Sequence, residues 1–582
     1  MYKSILHFTL VAVALLVTGT AMAQQTCPTD QAVCLVDNNE FLNRVVNGDT
    51  TATGDRARAD RIYELGRGNL YVMDETIRNS DYHLRIYGEE GDGALPQIYT
   101  TVNATSGNRV GNVFEQAGDI TFRNFAFAGV IEDAELNPDG NATMSVTFIR
   151  VTQPGFDLVI DNVTAVNIVA QFVRAQSSLR KFEMTNSIWA NSGYLGTNGT
   201  NFGAGKGIDL RDGSIDSLIF RNNTFVNYTD RIIRHRSSTG PVDNMIFDHN
   251  TVIDAVSYHG MMALGQVGTS VQITNNLFVD AFAAGADTSD VVRQSEFDES
   301  GEVYASNGQA KMTWILSEPN ETTNWNITNN IYTVSDDLEA FYATYGDGGG
   351  DDGNPDNGTD GDNDIIGAGD PLTDHIQGRI SNPTDAFVEM DLELTDRPAP
   401  PIDMLTWYHE ETGRTKETTT FVDAEDDYNR RTFEYFLNDF DASYPMSSAA
   451  YTAAEGDCPV GDLNWFPGVN VQACIDASTG IEYDPTEIPA AYQLEQNYPN
   501  PFNPTTNISY ALPNAARVSL VVYNVLGQEV ATLVKSQQQG AGSYQVTWSG
   551  TDMNGQKVAS GVYLYRLNAG ETVVTKRMVL VK

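Results

Sequence analysis

A short asparagine-centred pattern recurs through the middle of this chain and limits the folds it can adopt. In each copy an apolar residue, any residue and then Asn or His precede a short apolar run, as in FRNNTFVN from Phe220. Most copies lie 24 to 38 residues apart. β-Branched and aromatic residues around polar turns at such a period predict short strands in a parallel solenoid. The third position is Asn124, Asn162, Asn186, Asn222, His249, Asn275 and Asn329 in turn.

Asparagine suits the corner of a solenoid coil for two reasons. It tolerates the left-handed backbone region, and stacked amides can hydrogen-bond from one coil to the next. We therefore interpret these asparagines as structural. Helical repeats fit badly, because Gly, Asn, Asp and Thr interrupt the region every five to eight residues. The sequence predicts an all-β fold with a right-handed parallel β-helix.

The copies NNTFVN, DHNTVID and TNNLFVD give roughly residues 60–465 a resemblance to the pectate-lyase-like superfamily. This resemblance implies a right-handed parallel β-helix, a fold shared by lyases, hydrolases, esterases and passive adhesins. GDLNWFP at 461–467 is similar to the closing coil of secreted β-helix proteins. Ile62 begins the expected first strand, and residues 24–60 are expected to cap the open end of the solenoid.

Arginines end a second recurring strand pattern, in the triplets FIR, FVR, DLR, IIR and VVR. One intervening coil carries MAL instead, ending at Leu264. Neighbouring coils are about 4.8 Å apart, so equivalent arginines would form a column that needs anions between its members. Either nearby carboxylates supply those anions, or a bound uronate or sulfated glycan does. The arginines are Arg150, Arg174, Arg211, Arg234 and Arg293, and the carboxylates are Asp209, Asp212, Asp230 and Glu183.

The segment RIIRHR at 231–236 is the densest part of this column. Cleavage of a uronate polymer by β-elimination needs three groups: a cation that neutralises the carboxylate, a base that takes the C5 proton and an acid that protonates the leaving oxygen. The candidates are Arg211 and Arg234 at the carboxylate, Lys206 or His235 as base, Tyr258 or His259 as acid, and Arg150, Arg174, Arg236 and Arg293 as further substrate-binding residues.

Motifs of the best-known β-helix enzymes are missing from the chain. It has neither the WIDH-type signature nor the paired-arginine motif of well-studied pectate lyases, and no convincing pair of Asp residues for a hydrolase. A polysaccharide lyase and a non-catalytic glycan-binding or adhesin-like protein therefore both stay open.

The N-terminus predicts export. Lys3 precedes an apolar run over residues 5–17, and Ala21-Met22-Ala23 gives a cleavage pattern, so we interpret residues 1–23 as a signal peptide. No later stretch is long and apolar enough to predict a membrane-spanning helix. We expect a secreted protein that is extracellular or attached to the outer cell surface.

Charge and cysteine usage limit the partners. With 77 acidic against 35 basic side chains, nucleic acid and anionic membranes are poor candidates. The four cysteines fall into two local pairs, Cys27 with Cys34 and Cys458 with Cys474, each of which could close a short disulfide loop. Free thiols are the alternative, whereas neither pair has the spacing of a metal site.

Residues 346–370 are rich in Asp and Gly and cannot bury a core. Asp360, Asp362 and Asp364 have the alternating spacing of a calcium loop, but the Gly turn and the closing Glu of such a loop are missing. Calcium is therefore the one cofactor considered, with a solvated surface loop as the alternative. Residues 371–457 are expected to form late coils, with a short helix near Tyr428–Phe440.

The chain changes character after Cys474. Residues 24–475 are assigned to the β-helix and 476–490 to a linker, and 491–582 show the alternating apolar runs of a small Ig-like β-sandwich. NYPNPFNP, NVLGQEV, SGVYLYRL and KRMVLVK closely resemble the C-terminal sorting domain of type IX secretion cargo. That resemblance implies the type IX machinery as a partner. A carbohydrate-binding sandwich is the alternative, but an exposed aromatic platform is not evident.

Overall fold

The computed structural model describes residues 25–581, with gaps at 81, 130–144, 169, 194–204, 212, 236–239, 287–312, 346–364, 366, 411–439, 480, 485–491, 495, 498–499, 501, 503, 513–515, 525–527, 540–541, 553–556 and 571. The predicted signal peptide, most of the Asp-rich loop and nearly all of the helix predicted near Tyr428 lie outside the described residues. The chain divides into two compact units, Met1–Ala454 with Pro459–Pro467, and Glu455–Cys458 with Gly468–Lys582.

The first unit is a parallel β-helix whose coils contribute strands to three ladders, as the sequence predicts. Every strand of the first ladder pairs in parallel with the equivalent strand of the next coil. Its strands are Val33–Leu35, Ile62–Leu65, Leu84–Gly88, Ile120–Ala128, Phe156–Ile168, Leu179–Thr185, Ile215–Arg221, Val242–Asp248, Val267–Thr274 and Asn324–Thr328.

The second and third ladders follow the first within each coil. The second contains Leu70–Met73, Gln97–Thr100, the ends of Ile120–Ala128 and Phe156–Ile168, Ile188–Ser192, Thr224–Tyr228, Thr251–Ala255, Leu277–Val279, Asn330–Thr333 and Phe387–Glu389. The third contains Ile77–Arg78, Asn112–Gln116, Thr147–Val151, Gln171–Ala175, Lys206–Leu210, Ile233–His235, Met262–Leu264 and Ile315–Leu316.

The repeated asparagines form the corner between the first and second ladders, here called the first corner. All seven repeat positions have φ between 51° and 60°, the left-handed region predicted for them. A second corner, between the second and third ladders, begins five residues after most of these positions. This second corner was not predicted from the sequence. Its left-handed residues are Asn167, Asn191, Asn227, Asp254 and Asp280.

Alternation along the strands fills the interior of the coil. Phe220, Phe247 and Ile273 occupy equivalent inward positions of the first ladder and are fully buried. Each such side chain contributes about 1.5–3 kcal/mol through the apolar surface it removes from water. On the outer side of the third ladder, Arg150, Arg174 and Arg234 remain partly exposed, and these can meet a ligand.

Helices cover parts of the β-helix without entering its ladders. Leu42–Gly48 lies in the predicted N-terminal cap and buries Leu42, Val45 and Val46 in the main core. Asp336–Tyr345 and Ile402–Glu410 contribute to a separate apolar cluster beside the second corner. Asp374–Gln377 and three short 3₁₀ turns, at Pro383–Asp385, Ala449–Thr452 and Leu463–Trp465, complete the unit. Within the described residues, no helix has the length and apolar character to cross a membrane.

The GDLNWFP segment is not a closing coil, which corrects the sequence prediction. Residues 460–466, here called the corner strap, run lengthwise over the first corner from later coils back to earlier ones. Gly461 has φ +91°, and a Cβ there would come within 2.6 Å of Thr251 Oγ1, so only glycine fits. The strap adds no strand to a ladder. It instead forms hydrogen bonds with side chains and with one main-chain carbonyl oxygen at the first corner. Its partners are Asn275, Thr251, Thr224, Asn222 and Asn186.

The second unit is an Ig-like sandwich of two four-stranded antiparallel sheets. One sheet contains Ile481–Asp484, Gly542–Trp548, Thr506–Leu512 and Gln493–Leu494, and the other Glu529–Gln539, Ala516–Asn524, Gly561–Ala569 and Thr572–Leu580. The end of helix Val471–Thr479 and the strand Ile481–Asp484 lie in the segment 476–490 that was predicted to be a linker. Disulfide bonds join Cys458 to Cys474 in this unit and Cys27 to Cys34 in the β-helix.

Candidate functional site

Charged side chains follow the outer face of the third ladder, one per coil. Parallel pairing places them in a single column, here called the third-ladder row. The apolar Ala263 and Leu316 continue the column beyond its last charged member. The row contains Arg78, Glu115, Arg150, Arg174, Asp209 and Arg234.

The structure corrects the predicted register of this column. Asp209, not Arg211, pairs with Arg174, and Arg211 follows two residues later. Likewise Ala263, not Leu264, is opposite Arg234. The prediction counted back from the next repeat position, and that count fails because the turns between the third and first ladders differ in length.

Both carboxylates of the row are paired with arginines. Arg78 Nε lies 2.6 Å from Glu115 Oε2. Arg234 Nη1 lies 3.4 Å from Asp209 Oδ1, and Arg211 Nε lies 3.7 Å from Asp209 Oδ2. The Asp209 side chain is only 2% exposed beneath these guanidinium groups. At Asp209 the protein supplies its own anion, as the ion-pair interpretation expects, whereas Arg78 and Glu115 were not among the predicted residues.

Arg150 and Arg174 are different, because no carboxylate stands between them. Arg150 donates through Nε and Nη2 to the neutral amide oxygen of Gln176, at 3.1 and 2.7 Å. Arg174 Nε has no hydrogen-bond partner in the part of the chain that the structure describes. Burial lowers the pKa of Arg174, and the charges of Arg211 and Arg150 add to that effect. The charge of Asp209 opposes this shift, but within the described residues neither Arg150 nor Arg174 forms an ion pair with a carboxylate.

A buried ionic cluster lies at the second corner next to the row. Lys206 Nζ is 2.8 Å from Asp230 Oδ2, and His259 Nδ1 is 2.9 Å from Asp230 Oδ1. The three residues come from successive coils, and their side chains are at most 7% exposed. Arg231 Nε lies 3.9 Å from the same carboxylate.

Charge pairing shifts the pKa of Asp230 and of Lys206 in this cluster. Burial alone would raise the pKa of Asp230, but Lys206, His259 and Arg231 together hold it well below its usual range. Burial lowers the pKa of Lys206, Asp230 opposes that shift and Arg234 adds to it. Lys206 is thus linked electrostatically to the third-ladder row, and a lowered pKa is what a lysine base requires.

Two other predicted catalytic residues are placed away from solvent. His235 is fully buried between Leu210 and Leu264 inside the coil, where its Nε2 contacts the carbonyl oxygen of Gly213 at 3.2 Å. Tyr258 is 1% exposed within the apolar cluster under the covering helices. Its ring meets that of His259 edge to face, with 4.5 Å between centroids.

Several predicted residues cannot be placed in the site. Glu183 pairs with Lys181 at 2.7 Å on the first ladder, not with the arginines. Within the described residues, no group of His, Cys, Asp and Glu side chains could hold a metal ion. Outside the described residues lie Arg236, Arg293, Asp212 and the calcium-loop candidates Asp360, Asp362 and Asp364.

An acidic pair at the second corner escaped the sequence reading. Asp254 and Asp280 lie on successive coils, and Arg397 Nη1 is 2.8 Å from a carboxylate oxygen of each. Both carboxylates are fully buried at the side chain. The signal that could have found them is their place five residues after His249 and Asn275, where Asn227 and Asn191 stand in earlier coils.

Comparison with known proteins gives a match to one part of the chain. The FlgD Ig-like domain family matches residues 500–572. No curated protein is significantly similar to the chain. The second unit is thus similar to the FlgD Ig-like domain.

Two solved structures from Porphyromonas gingivalis share short stretches with the chain. PorZ, an essential surface component of the type IX secretion system, has 20% identity and a TM-score of 0.12, over 16% of this chain and 12% of PorZ. Dimeric latent PorU has 21% identity and a TM-score of 0.14, over 16% of this chain and 10% of PorU. Because this chain spans only about a tenth of either protein, these likenesses carry no argument about function.

Proposed function

We propose that the β-helix binds an extracellular anionic polysaccharide along the third-ladder row. The observation that carries the proposal is the pair Arg150 and Arg174, adjacent guanidinium groups on a solvent-facing strand column without a carboxylate between them. Planar guanidinium binds carboxylate and sulfate in a bidentate manner. On a chain with a formal net charge of −42, such a patch concentrates positive potential locally.

Charge-neutralising substitution tests this proposal. Arg174→Gln is expected to weaken binding of acidic polysaccharides about tenfold, because one charge-assisted contact is lost. Arg180→Gln is the matched control, since Arg180 lies on the first ladder and is already paired with Asp157 at 2.8 Å. Binding would be measured by affinity electrophoresis in gels containing the polymer. Equal retardation of both variants and the wild type would refute the proposed site.

A lyase is the second candidate function, and the link between Lys206 and Arg234 favours it. In this proposal the arginines neutralise a uronate carboxylate, Lys206 takes the C5 proton, and His259 is the acid held by Asp230. His235 lies between Leu210 and Leu264 and Tyr258 lies in the separate apolar cluster, both at most 1% exposed, whereas the Lys206 and His259 side chains are 5% and 7% exposed; His235 and Tyr258 are therefore not retained as base and acid. Wild-type protein mixed with alginate, pectate or chondroitin sulfate should then produce ultraviolet-absorbing unsaturated ends. Binding without such products, or unchanged products with Lys206→Met, would exclude this mechanism and favour a non-catalytic binder.

We further propose that residues 1–23 are a signal peptide and that 491–582 are a type IX sorting domain, so that the β-helix works outside the cell. The proposal rests on the N-terminal cleavage pattern and on the NYPNPFNP, SGVYLYRL and KRMVLVK motifs. Deletion of 491–582 in a host with type IX machinery should leave the protein in the periplasm while another cargo is still exported. Surface localisation of the truncated protein would disprove the assignment.

A further inference from the structure

The third-ladder row has an internal order that restricts which glycans fit. From earlier to later coils it contains Arg, Glu, Arg, Arg, Asp and Arg. Each carboxylate stands between two arginines, and Arg150 with Arg174 is the one pair of neighbouring arginines within the described row. Strand spacing of about 4.8 Å places Glu115 and Asp209 about 14 Å apart, with this pair between them.

The two carboxylates of the row disfavour binding of an anion at their own positions. Glu115 pairs with Arg78 across 2.6 Å, and Asp209 is shared by Arg234 at 3.4 Å and Arg211 at 3.7 Å. An anionic group placed over either rung would meet a carboxylate that already has its cation, and like charges at coil spacing repel. Among the described arginines of the row, Arg150 and Arg174 are the two that form no ion pair with a carboxylate. Beyond Arg234 the column is apolar, with Ala263 and Leu316.

We infer that the β-helix selects a sparsely charged glycan, in which one isolated carboxylate or sulfate meets Arg150 and Arg174 and neutral sugars cover the neighbouring rungs. This inference rests on the proposed function and names the substrate class of the same site. A polymer with an acid on every sugar would place further charges near Glu115 and Asp209. The two carboxylates thus act as specificity-determining residues, because they penalise the densely charged competitor.

Glycans of different charge density distinguish this inference from the proposed function. A xylan with sparse glucuronate groups and a sparsely sulfated galactan are the two favourable probes, and polygalacturonate is the dense competitor. Carboxyl-reduced xylan serves as the neutral control. At equal concentration of acid groups, wild-type protein is expected to bind at least one sparse polymer roughly tenfold more tightly than polygalacturonate. Which sparse polymer binds shows whether the anion is carboxylate or sulfate.

Removal of one row carboxylate should relax the selection. Glu115→Gln is expected to strengthen polygalacturonate binding at least about threefold and to leave the sparse polymer nearly unchanged. Asp209→Asn is a second variant with the same expectation, checked first for native circular dichroism because Asp209 is buried. Glu183→Gln, which removes a carboxylate paired with Lys181 on the first ladder, is the charge-matched control and should alter neither affinity.

The possible results distinguish a failure of the proposed function from a failure of the inferred selection. If no acidic polymer binds, or binding ignores Arg174→Gln, the proposed function itself fails. If polymers bind through Arg174 but polygalacturonate binds as tightly as the sparse probes, and Glu115→Gln matches Glu183→Gln, the inferred selection is wrong while the binding site stands.

Discussion

At the scale of single residues, the β-helix depends on a buried amide ladder one position after the repeat asparagines. Asn223, Asn250, Asn276 and Asn330 are fully buried on successive coils. The first three Nδ2 groups donate to the Oδ1 of the next asparagine, at 2.9, 3.1 and 2.8 Å, and all four Nδ2 groups donate to a main-chain carbonyl oxygen. Because every rung satisfies its neighbour, the loss of one amide leaves buried polar groups unpaired on two sides.

Asn250→Ala should therefore lower the free energy of unfolding of the β-helix by about 3 kcal/mol. Asn244→Ala is the matched control, since Asn244 is only partly buried and bonds to Asp216 and Asp243 near the surface. Urea unfolding followed by circular dichroism measures both changes. Equal and small losses would show that the buried ladder contributes little.

Two buried aspartates at the corners should respond to pH in opposite directions. Burial raises the pKa of Asp254 well above its usual range; Arg397 opposes this shift and the charge of Asp280 adds to it. For Asp248 burial acts in the same sense, but His249 and Arg221 outweigh it and hold its pKa below the usual range. Asp254 therefore stabilises the fold below an unfolded pKa of about 4 and loses that contribution as pH rises through its folded value. Asp248 stabilises the fold above about pH 4 and loses that contribution as pH falls through its folded value.

Asp254→Asn should then gain stability relative to wild type as the pH rises from about 4 to about 8. Asp248→Asn should be less stable than wild type at neutral pH and approach it in acid. Thermal unfolding midpoints between about pH 4 and 8 measure the Asp254→Asn change, and midpoints below about pH 4 measure the Asp248→Asn change. Parallel pH profiles for wild type and Asp254→Asn would contradict the raised pKa.

At the scale of elements, the corner strap stabilises the outer side of the first corner. Asp462 Oδ2 accepts from Thr224 Oγ1 at 2.7 Å, and the main-chain N–H of Asp462 donates to Thr251 Oγ1 at 2.8 Å. The Trp465 indole donates to Thr224 as well, at 2.9 Å. These buried bonds join the strap to two neighbouring coils more than 200 residues earlier in the chain, so the strap docks on a surface that those stacked coils form together.

Removal of one strap anchor should release this segment. Asp462→Ala is expected to cost about 2 kcal/mol and to speed hydrogen exchange at residues 460–466 and at Thr224 and Thr251. Asp476→Ala, in a surface helix of the second unit, is the control. Unchanged exchange in Asp462→Ala would mean that the apolar strap residues suffice.

At the scale of the whole molecule, each of the two units contains its own apolar core. Ile481–Asp484 pairs along its full length with Gly542–Trp548, so the sandwich begins before the predicted boundary at residue 491. A domain with its own core can fold alone when all of its strands are present.

A fragment of residues 480–582 should accordingly fold by itself and unfold at a higher temperature than a fragment of 491–582. The shorter fragment leaves one edge of its sheet without its partner strand. Differential scanning calorimetry of both fragments measures the effect. Identical midpoints would show that the added strand is not part of the stable sandwich.

Local patterns were sufficient for much of this architecture. The repeat alone predicted a parallel β-helix and the left-handed corner at Asn124 through Asn329, because a corner residue must satisfy its own backbone geometry whatever surrounds it. Alternating strands with short turns likewise predicted the C-terminal sandwich. Both patterns are formed by residues close together in the chain, so they can be recognised without knowing which residues are in contact in the folded protein.

Properties that depend on register were decided only by the tertiary structure. Turns of unequal length placed Asp209 rather than Arg211 beside Arg174, and so changed a column of arginines into a row with two built-in carboxylates. The docking of 460–466 on the first corner and of Arg397 on Asp254 and Asp280 joins segments more than a hundred residues apart. The repeat period and the alternation of apolar residues determined the kind of fold, whereas the site arises from side chains that meet only when the coils are stacked.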